Sequence, residues 1–163
     1  MILIALGSNL SSRAGDPAAT LRAALTHLAI KGVKPIAVSR FFRTRAWPDP
    51  RDPDFVNSVA RVTTELPPAE LIARLHETEA AFGRERAARN APRTLDLDIL
   101  DYDGRVEDGS PTLPHPRIEG RAFVLVPLQD VAPDWRHPAS GKSVGELLDA
   151  IPAEERAAVE PIG

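Results

Sequence analysis

Apolar and polar positions in the first part of the chain predict a strand followed by a helix. Residues 1–6 form a continuous apolar run that stops at a turn-forming segment, residues 7–9, as expected of a strand buried on both faces. Asp16 and Pro17 next provide an N-cap and a proline for the first helical turn. Leucines then recur at helical spacing as far as Gly32, so the pattern predicts a helix between these points.

Two strands and a second helix are predicted next. Residues 33–42 and 55–64 are rich in β-branched and aromatic side chains, which favour strands. The loop between them, residues 45–54, carries three prolines and three aspartates and is therefore expected to be stiff and exposed. A second periodic apolar face begins at Pro67 and stops at Gly83, a residue type that commonly ends helices.

The following region changes from polar to alternating. Residues 84–92 contain three arginines and few apolar side chains, whereas residues 95–99 alternate with the period of a strand that has one exposed face. The order of strand, helix, strand, strand, helix and strand predicts an α+β fold, the ferredoxin-like plait, whose antiparallel sheet carries its helices on one face. A C-terminal extension follows, with a turn at residues 102–104, a proline-rich segment at residues 111–116 and a last helix from about Val144 to Ala150.

The bulk composition narrows the class of protein. With 163 residues, 43% hydrophobic and 26% charged, the chain is expected to form one soluble domain spanning residues 1–163. The formal net charge of −3 lacks the basic excess of a nucleic-acid-binding surface. Cysteine is absent, which excludes disulfides and thiolate metal sites. The apolar start has no basic segment before it, so a cytoplasmic protein is expected.

Asp96 and Asp98 are the candidate metal ligands. On a strand they project from the same face, with Cα atoms about 6.6 Å apart at about 3.3 Å per residue. Two carboxylates so placed suit hard cations, and Mg²⁺ bound together with nucleotide phosphates fits best. The competing interpretation is an ordinary exposed face of an edge strand, which alternation alone favours.

Arginines surround this pair in the sequence. An arginine-rich loop is more often a solvated surface, but its adjacency to paired aspartates favours phosphate binding. The arginines are Arg84, Arg86, Arg89 and Arg93 before the pair and Arg117 and Arg121 after it. A Walker A loop is absent, because Gly141-Lys142-Ser143 lacks the glycine required five residues earlier, and Ser143 with Glu146 predicts a helix capping box instead.

Several motifs together resemble the 6-hydroxymethyl-7,8-dihydropterin pyrophosphokinase family over nearly the whole chain. The most specific is the string from Pro92 to Asp98. The full set is Gly7-Ser8-Asn9-Leu10, Phe55-Val56-Asn57, Gly83-Arg84, Pro92-Arg93-Thr94-Leu95-Asp96-Leu97-Asp98, Pro114-His115-Pro116-Arg117 and Arg121-Ala122-Phe123. The resemblance implies transfer of the β,γ-diphosphate of ATP to the pterin hydroxymethyl group, with release of AMP, in folate biosynthesis.

The resemblance also implies roles for individual residues. Asp96 and Asp98 would hold two Mg²⁺ ions that bind with ATP, with Asp98 also a candidate acceptor of the hydroxyl proton. The phosphate-binding and nucleotide-binding residues would be Arg84, Arg93, His115, Arg121, Arg86 and Glu79. The pterin would lie between the rings of Phe55 and Phe123, bonded by Asn57 and the backbone around Thr44 and Ala46, with Trp47 walling the pocket. Phosphoryl transfer needs positioning and charge neutralisation above all, which such residues supply.

Structural interpretations compete with some of these roles. Phe55 and Phe123 are ordinary core residues in most proteins, Asn57 suits a strand end, and His115 between prolines suits a buried structural position. The chain also departs from the family, because Asn90-Ala91 stand where a Trp-Gly usually precedes the Pro-Arg, and the arginine loop is slightly short. Losing that indole removes a rigid contact from the loop expected to close over substrate.

Two non-catalytic functions are compatible with the predicted fold. A plait can bind single-stranded RNA through aromatics on its open sheet face, but the acidic balance and the missing aromatic strand motif oppose this. A regulatory small-molecule-binding domain would not need two aspartates on one face beside an arginine-rich loop. The expected partners are therefore ATP and the pterin, with no nucleic acid and no membrane, for a protein expected to be monomeric.

Overall fold

The chain folds into strands and helices in nearly the predicted order. This computed structural model describes residues 1–85 and 91–162. The elements are β1 (Ile2–Ser8), α1 (Pro17–Ile30), β2 (Lys34–Val38), β3 (Phe42–Thr44), β4 (Phe55–Thr63), α2 (Pro68–Ala81), β5 (Asp96–Tyr102), α3 (Ala122–Val131), α4 (Val144–Asp149), α5 (Ala153–Ala157) and β6 (Glu160–Pro161).

All paired strands run antiparallel, as predicted. The order across the sheet is β5-β1-β4-β3-β6, and β2 also pairs with β4. β1 therefore lies between β4 and β5. The predicted motifs that contain Gly7, Asn57 and Asp96 thus lie on three neighbouring strands. The single strand expected over residues 33–42 is two, β2 and β3, with a break at residues 39–41.

Side chains on alternate positions of β1 serve two different cores. Ile2, Ile4 and Leu6 pack on one face against the buried leucines of α1 and α2. Leu3 packs on the other face, in a second cluster built with α3 and α4. The expectation of helices on one face alone was therefore wrong, because the C-terminal extension covers part of the second face.

Helix α3 was not predicted from the sequence. Pro127 lies inside it, and proline removes a hydrogen bond and normally interrupts a helix. Packing overrides that propensity here, because Leu125 and Leu128 are almost fully buried beside Pro127. Trp135, which follows the helix, donates its indole N–H to Asp101 Oδ2 at 2.7 Å and so fastens the extension to β5.

The predicted helix signals are confirmed where they were specific. Asp16 accepts a hydrogen bond from Ala19 N at 2.8 Å as the N-cap of α1. Gly83 follows the end of α2 with a φ of 83°, a conformation that glycine adopts without strain. Ser143 and Glu146 form the capping box of α4, as predicted.

Among the described residues, no helix combines the length and the apolar composition that crossing a bilayer requires.

Candidate active site

An open cleft lies on the face of the sheet that α3 partly covers. Its floor is the end of β1 and the facing residues of β4 and β5, and one wall is the start of α3. The residues that line it are Ala5, Leu6, Gly7, Asn57, Ser58, Asp96, Asp98, Leu100, His115, Arg117, Arg121, Phe123 and Val124.

The register of the sheet places the two halves of the predicted site in one row. Gly7 on β1 pairs with Asp96 on β5 and with Asn57 on β4. Adjacent strands lie about 4.8 Å apart, so the backbones at Asp96 and Asn57 are about 10 Å from each other with a glycine between them. A Cβ at Gly7 would lie 3.0 Å from Asn57 Oδ1, so the missing side chain keeps this part of the floor open. The next row is Asp98 and Ala5, again with a small residue on β1.

Asp96 is held between two arginines. Arg84 Nη1 lies 3.0 Å from Asp96 Oδ1, and Arg93 Nη1 lies 3.3 Å from Asp96 Oδ2. Both oxygens of the carboxylate are therefore bonded to guanidinium groups. Arg93 also lies over the ring of Phe55, with its Cζ 5.9 Å from the ring centroid.

Glu79, on α2, contacts both Arg84 and the backbone of β5. Its Oε2 accepts the backbone N–H of Leu97 at 2.8 Å and bonds closely to Arg84 Nη1. The side chain is 9% exposed, and burial raises the pKa of Glu79 to about 7, opposed by the Leu97 N–H and by Arg84. Glu79 thus contacts Arg84 and β5 and is absent from the residues that line the cleft.

Asp98 stands in the cleft without a close ion-pair partner in the described part of the chain. Its nearest basic group there is His115, with Nε2 3.9 Å from Asp98 Oδ2. Although 41% of its side-chain surface is open, desolvation in the concave site and the charge of Asp96 raise the pKa of Asp98 to about 6. Arg121, Arg84 and Arg117 oppose that rise. The carboxylate is consequently poised to take an additional cation.

His115 and two arginines form the downstream wall. The backbone N–H of His115 bonds to Leu100 O at 2.9 Å, and its Nδ1 accepts the backbone N–H of Arg117 at 3.1 Å. Burial, then the charges of Arg121 and Arg117, lower the pKa of His115 to about 4, so the ring is neutral at pH 7. A neutral ring that accepts at Nδ1 carries its proton on Nε2, the nitrogen nearer Asp98.

Only some of the six predicted pterin residues line the cleft. Asn57 and Phe123 line the cleft. Thr44 supports Asn57, because Asn57 Nδ2 donates to Thr44 Oγ1 at 2.9 Å and this leaves Oδ1 turned toward Gly7. Phe55 lies beside Arg93 and within 3.9 Å of a Cβ built at Gly7.

The remaining two predicted pterin residues, Ala46 and Trp47, do not line the cleft. Ala46 is buried, whereas Trp47 is 74% exposed. Arg86 lies outside the described residues.

Asn9 links the loops that surround the cleft. Its side-chain Oδ1 accepts the backbone N–H of Arg93 at 2.8 Å, and its Nδ2 donates to Pro53 O at 3.1 Å. The backbone N–H groups of Asn9 and Leu10 both donate to Arg93 O. These two amides are therefore already hydrogen-bonded within the protein and are not free to bind an anion.

The donor set fits a hard divalent cation shared with phosphate. No group of three or more histidine and carboxylate side chains converges in residues 1–85 and 91–162. Two carboxylates on one strand face can supply only part of a magnesium coordination shell, and Mg²⁺ characteristically takes the rest from water and substrate phosphates. The chemistry of Asp96 and Asp98 therefore suits cations that arrive with a nucleotide.

The sequence assigned no individual role to two residues that the structure places at the site. Gly7 and Asn9 stood in a recognised motif, but strand pairing and hydrogen bonding to Arg93 and Pro53 cannot be read from a single sequence. Arg117 was predicted only as one of six arginines that could bind phosphate, and the structure brings it into the cleft wall.

Comparisons with known proteins identify relatives of this chain. The family model for 7,8-dihydro-6-hydroxymethylpterin-pyrophosphokinase (HPPK) matches residues 3–133. A 2-amino-4-hydroxy-6-hydroxymethyldihydropteridine pyrophosphokinase of Methylorubrum extorquens is 43% identical over 147 residues, covering 89% of each chain. Proteins of the same name from Pseudomonas aeruginosa and Synechocystis sp. are 40% and 38% identical, covering 94% and 91% of this chain and 93% and 75% of theirs.

A solved structure shows the same fold. The Plasmodium falciparum HPPK-DHPS wild type superposes with a TM-score of 0.67 at 13% sequence identity, covering 91% of this chain. The chain spans 44% of that longer protein, so the likeness concerns one part of it.

Proposed function

The chain belongs to the 7,8-dihydro-6-hydroxymethylpterin-pyrophosphokinase family, and from that membership we propose its reaction. It transfers the β,γ-diphosphate of ATP to the hydroxymethyl group of 6-hydroxymethyl-7,8-dihydropterin and releases AMP, as a step of folate biosynthesis. As an enzyme of this family it is an ATP-dependent diphosphotransferase. A purely RNA-binding or regulatory domain does not account for this membership.

The observation that carries the proposal is the row formed by Asp96, Gly7 and Asn57. It sets a carboxylate suited to metal-bound phosphate and an amide suited to a polar heterocycle on one floor, with only a glycine between them. Reactants held at the two ends of such a row meet above the glycine, and positioning of this kind supplies much of the catalysis in phosphoryl transfer.

Asp96 and Asp98 would hold two magnesium ions. When bound, these ions neutralise phosphate charge and polarise the oxygens of the transferring group. Arg84 and Arg93 now donate to the two oxygens of Asp96. Each would move its donor from this carboxylate to a phosphate oxygen once Asp96 serves as a ligand, so the same arginines steady the transferring phosphates.

The nucleotide phosphates also meet the downstream wall. His115 presents a neutral imidazole with its Nε2 proton toward the cleft. Arg121 adds a permanent positive charge beside it, with its Cζ 5.4 Å from the centroid of the Phe123 ring. Glu79 acts on this reaction indirectly, by holding Arg84 and the edge of β5. A nucleotide-binding role for Arg86 stays a prediction.

The pterin would lie against Phe123, with Phe55 on its other side. Asn57 is oriented by Thr44, so its Oδ1 is available to accept an N–H from the heterocycle. The backbone around Thr44 and Ala46 would complete the polar edge, and Trp47 would move toward the ligand from its exposed position. Asp98 is the candidate acceptor of the hydroxyl proton.

We also propose that the architecture is a ferredoxin-like plait with a C-terminal extension. The strand order β5-β1-β4-β2 and the packing of α1 and α2 on the same face of the sheet support it. A single domain over residues 1–163, a monomeric state and a cytoplasmic location stay predictions.

The decisive experiment is an assay for AMP release. The protein is mixed with ATP, Mg²⁺ and the pterin alcohol, and AMP and the diphosphorylated pterin are quantified together. Equal amounts of the two products are expected, with neither formed when the pterin or the metal is omitted. Formation of ADP or inorganic phosphate in place of AMP would contradict diphosphate transfer.

A further inference from the structure

Arg117 lies in the wall of the cleft, beside the residues proposed to bind phosphate and metal. It lines the cavity together with Asp98, His115 and Arg121. We propose that Arg117 is a further phosphate-binding residue, whose guanidinium grips the polyphosphate of the nucleotide next to Arg121. This inference rests on the proposed function, because it supposes a nucleotide in the cleft.

The backbone that carries Arg117 is fixed, although the side chain is exposed. Its N–H donates to His115 Nδ1 at 3.1 Å, and the next residue, Ile118, is 1% exposed in the core. Ile118 O in turn accepts the N–H of Arg121 at 3.3 Å. A flexible charged side chain on a rigid base can follow a ligand without a large cost in backbone order.

The charge of Arg117 is not neutralised by the described part of the protein. Among residues 1–85 and 91–162, neither Arg117 nor Arg121 has a carboxylate within ion-pair distance, whereas Arg84 and Arg93 both have one. The two downstream guanidinium groups are close enough to affect each other, since burial and then the charge of Arg117 lower the pKa of Arg121. Like charges held together in a concave site attract a polyanion, which relieves their repulsion.

The chemistry of the side chain suits phosphate. Guanidinium presents a planar set of donors that matches two phosphate oxygens at once, and it stays charged at every physiological pH. The alternative is a solvated surface arginine that lies near the cleft without touching the ligand. The two interpretations differ in what happens when the side chain is removed, because the backbone bond from Arg117 N to His115 remains in either case.

The test is calorimetric titration of Arg117→Ala, Arg117→Lys and wild type with a non-hydrolysable ATP analogue and Mg²⁺. Arg22→Ala is the matched control, because Arg22 is an exposed arginine on α1, which packs on the opposite face of the sheet. We expect Arg117→Ala to bind the analogue about tenfold more weakly and Arg117→Lys to fall between, since lysine keeps the charge and loses the planar fork. Binding of AMP should change less than about twofold in both variants.

Each outcome decides the matter. Analogue binding by Arg117→Ala that equals wild type, or an equal loss for AMP and the analogue, would overturn the proposal, because neither result fits a polyphosphate contact. If wild type itself fails to bind the analogue, the proposed function is wrong, and the role of Arg117 fails with it. Melting temperatures of all four proteins show whether a loss of affinity reflects a loss of folded protein.

Discussion

Two pairs of arginines flank the aspartates of β5, and they are in opposite states. The upstream pair, Arg84 and Arg93, is bonded to Asp96, and Arg84 also to Glu79. The downstream pair, Arg117 and Arg121, has no such carboxylate partner in the described part of the chain. The four arginines of this site therefore differ in whether a carboxylate of the described chain pairs with their charge.

This difference separates two tasks that a phosphate-binding site must perform. A guanidinium without a carboxylate partner attracts an anion at once, so the downstream pair suits capture of the nucleotide. A guanidinium bonded to a carboxylate must exchange partners before it contacts phosphate, so the upstream pair suits a step that follows capture. Each pair also has an arginine over an aromatic ring, Arg93 over Phe55 and Arg121 over Phe123, so the distinction lies in the carboxylates.

The largest expected effect comes from removing the carboxylates themselves. Asp96→Ala and Asp98→Ala should each lower turnover on the order of a thousandfold, because each loses a ligand for the ions that neutralise the transferring phosphates. Asp98→Ala should leave the free protein at least as stable as wild type, since burial and repulsion from Asp96 raise the pKa of Asp98. Asp134→Ala, at an exposed position, is the control. Turnover is measured at saturating Mg²⁺ and ATP, with circular dichroism to confirm the fold.

Near-normal turnover in either aspartate variant would mean that the residue belongs to the solvated face of a strand. In that case metal binding would not release the upstream arginines from Asp96. The difference between the two pairs of arginines would then not correspond to two steps of phosphate binding.

The next largest effect distinguishes the two pairs of arginines by the kinetic parameter that each substitution changes. Arg84→Ala should lower kcat about a hundredfold with a small change in KM for ATP, because its phosphate contact forms after the nucleotide is bound. Arg121→Ala should act mainly through KM for ATP. Steady-state kinetics with ATP as the varied substrate measures both. The same division between kcat and KM in the two variants would show that the carboxylate partners do not distinguish the pairs.

A smaller effect is expected from the ring beside the downstream pair. Phe123→Ala should weaken pterin binding by about 1–3 kcal/mol and leave ATP affinity nearly unchanged, because a ring face is lost and the Arg121 charge remains. Phe123 is 38% exposed, so little core packing is removed. Affinities for both ligands are measured beside the melting temperature. A large drop in melting temperature with unchanged pterin affinity would favour a purely structural ring.

Much of this arrangement follows from local sequence signals. The N-cap at Asp16, the helix end at Gly83, and the capping box of Ser143 with Glu146 each depend on neighbouring residues, and each is confirmed. The alternation that places Asp96 and Asp98 on one face is equally local, and both line the cleft.

The rest depends on contacts between distant segments. Helix α3 contains Pro127, and its stability comes from packing against a sheet face that the sequence cannot display. Asn9 forms hydrogen bonds with Pro53 and Arg93, which are distant in the sequence. The ion pair of Arg84 with Glu79 likewise requires the end of α2 to meet the edge of β5. Runs of arginine indicate an anion site, but only tertiary structure shows which of them are already paired.

The smallest effect tests Glu79, whose carboxylate forms an ion pair with Arg84. In the folded chain burial raises the pKa of Glu79 from 4.5 to about 7. A raised folded pKa gives stability that is fully present below pH 4.5 and is lost as the pH rises through about 7, because the folded state binds the proton more tightly. Glu79→Gln stays neutral and keeps an acceptor for Leu97 N, so it should lack this part of the loss.

Urea unfolding of wild type and Glu79→Gln at pH 5 and pH 8 measures the difference. We expect wild type to lose about 2 kcal/mol more stability than the variant between these values, because most of the interval between the unfolded and folded pKa of Glu79 lies in this pH window. Asp98 has a raised pKa in the same window and is present in both proteins, so the loss should shrink without disappearing. Identical losses would mean that the ionised Glu79 is fully compensated by Arg84, and the upstream pair would then be held even more firmly than its geometry indicates.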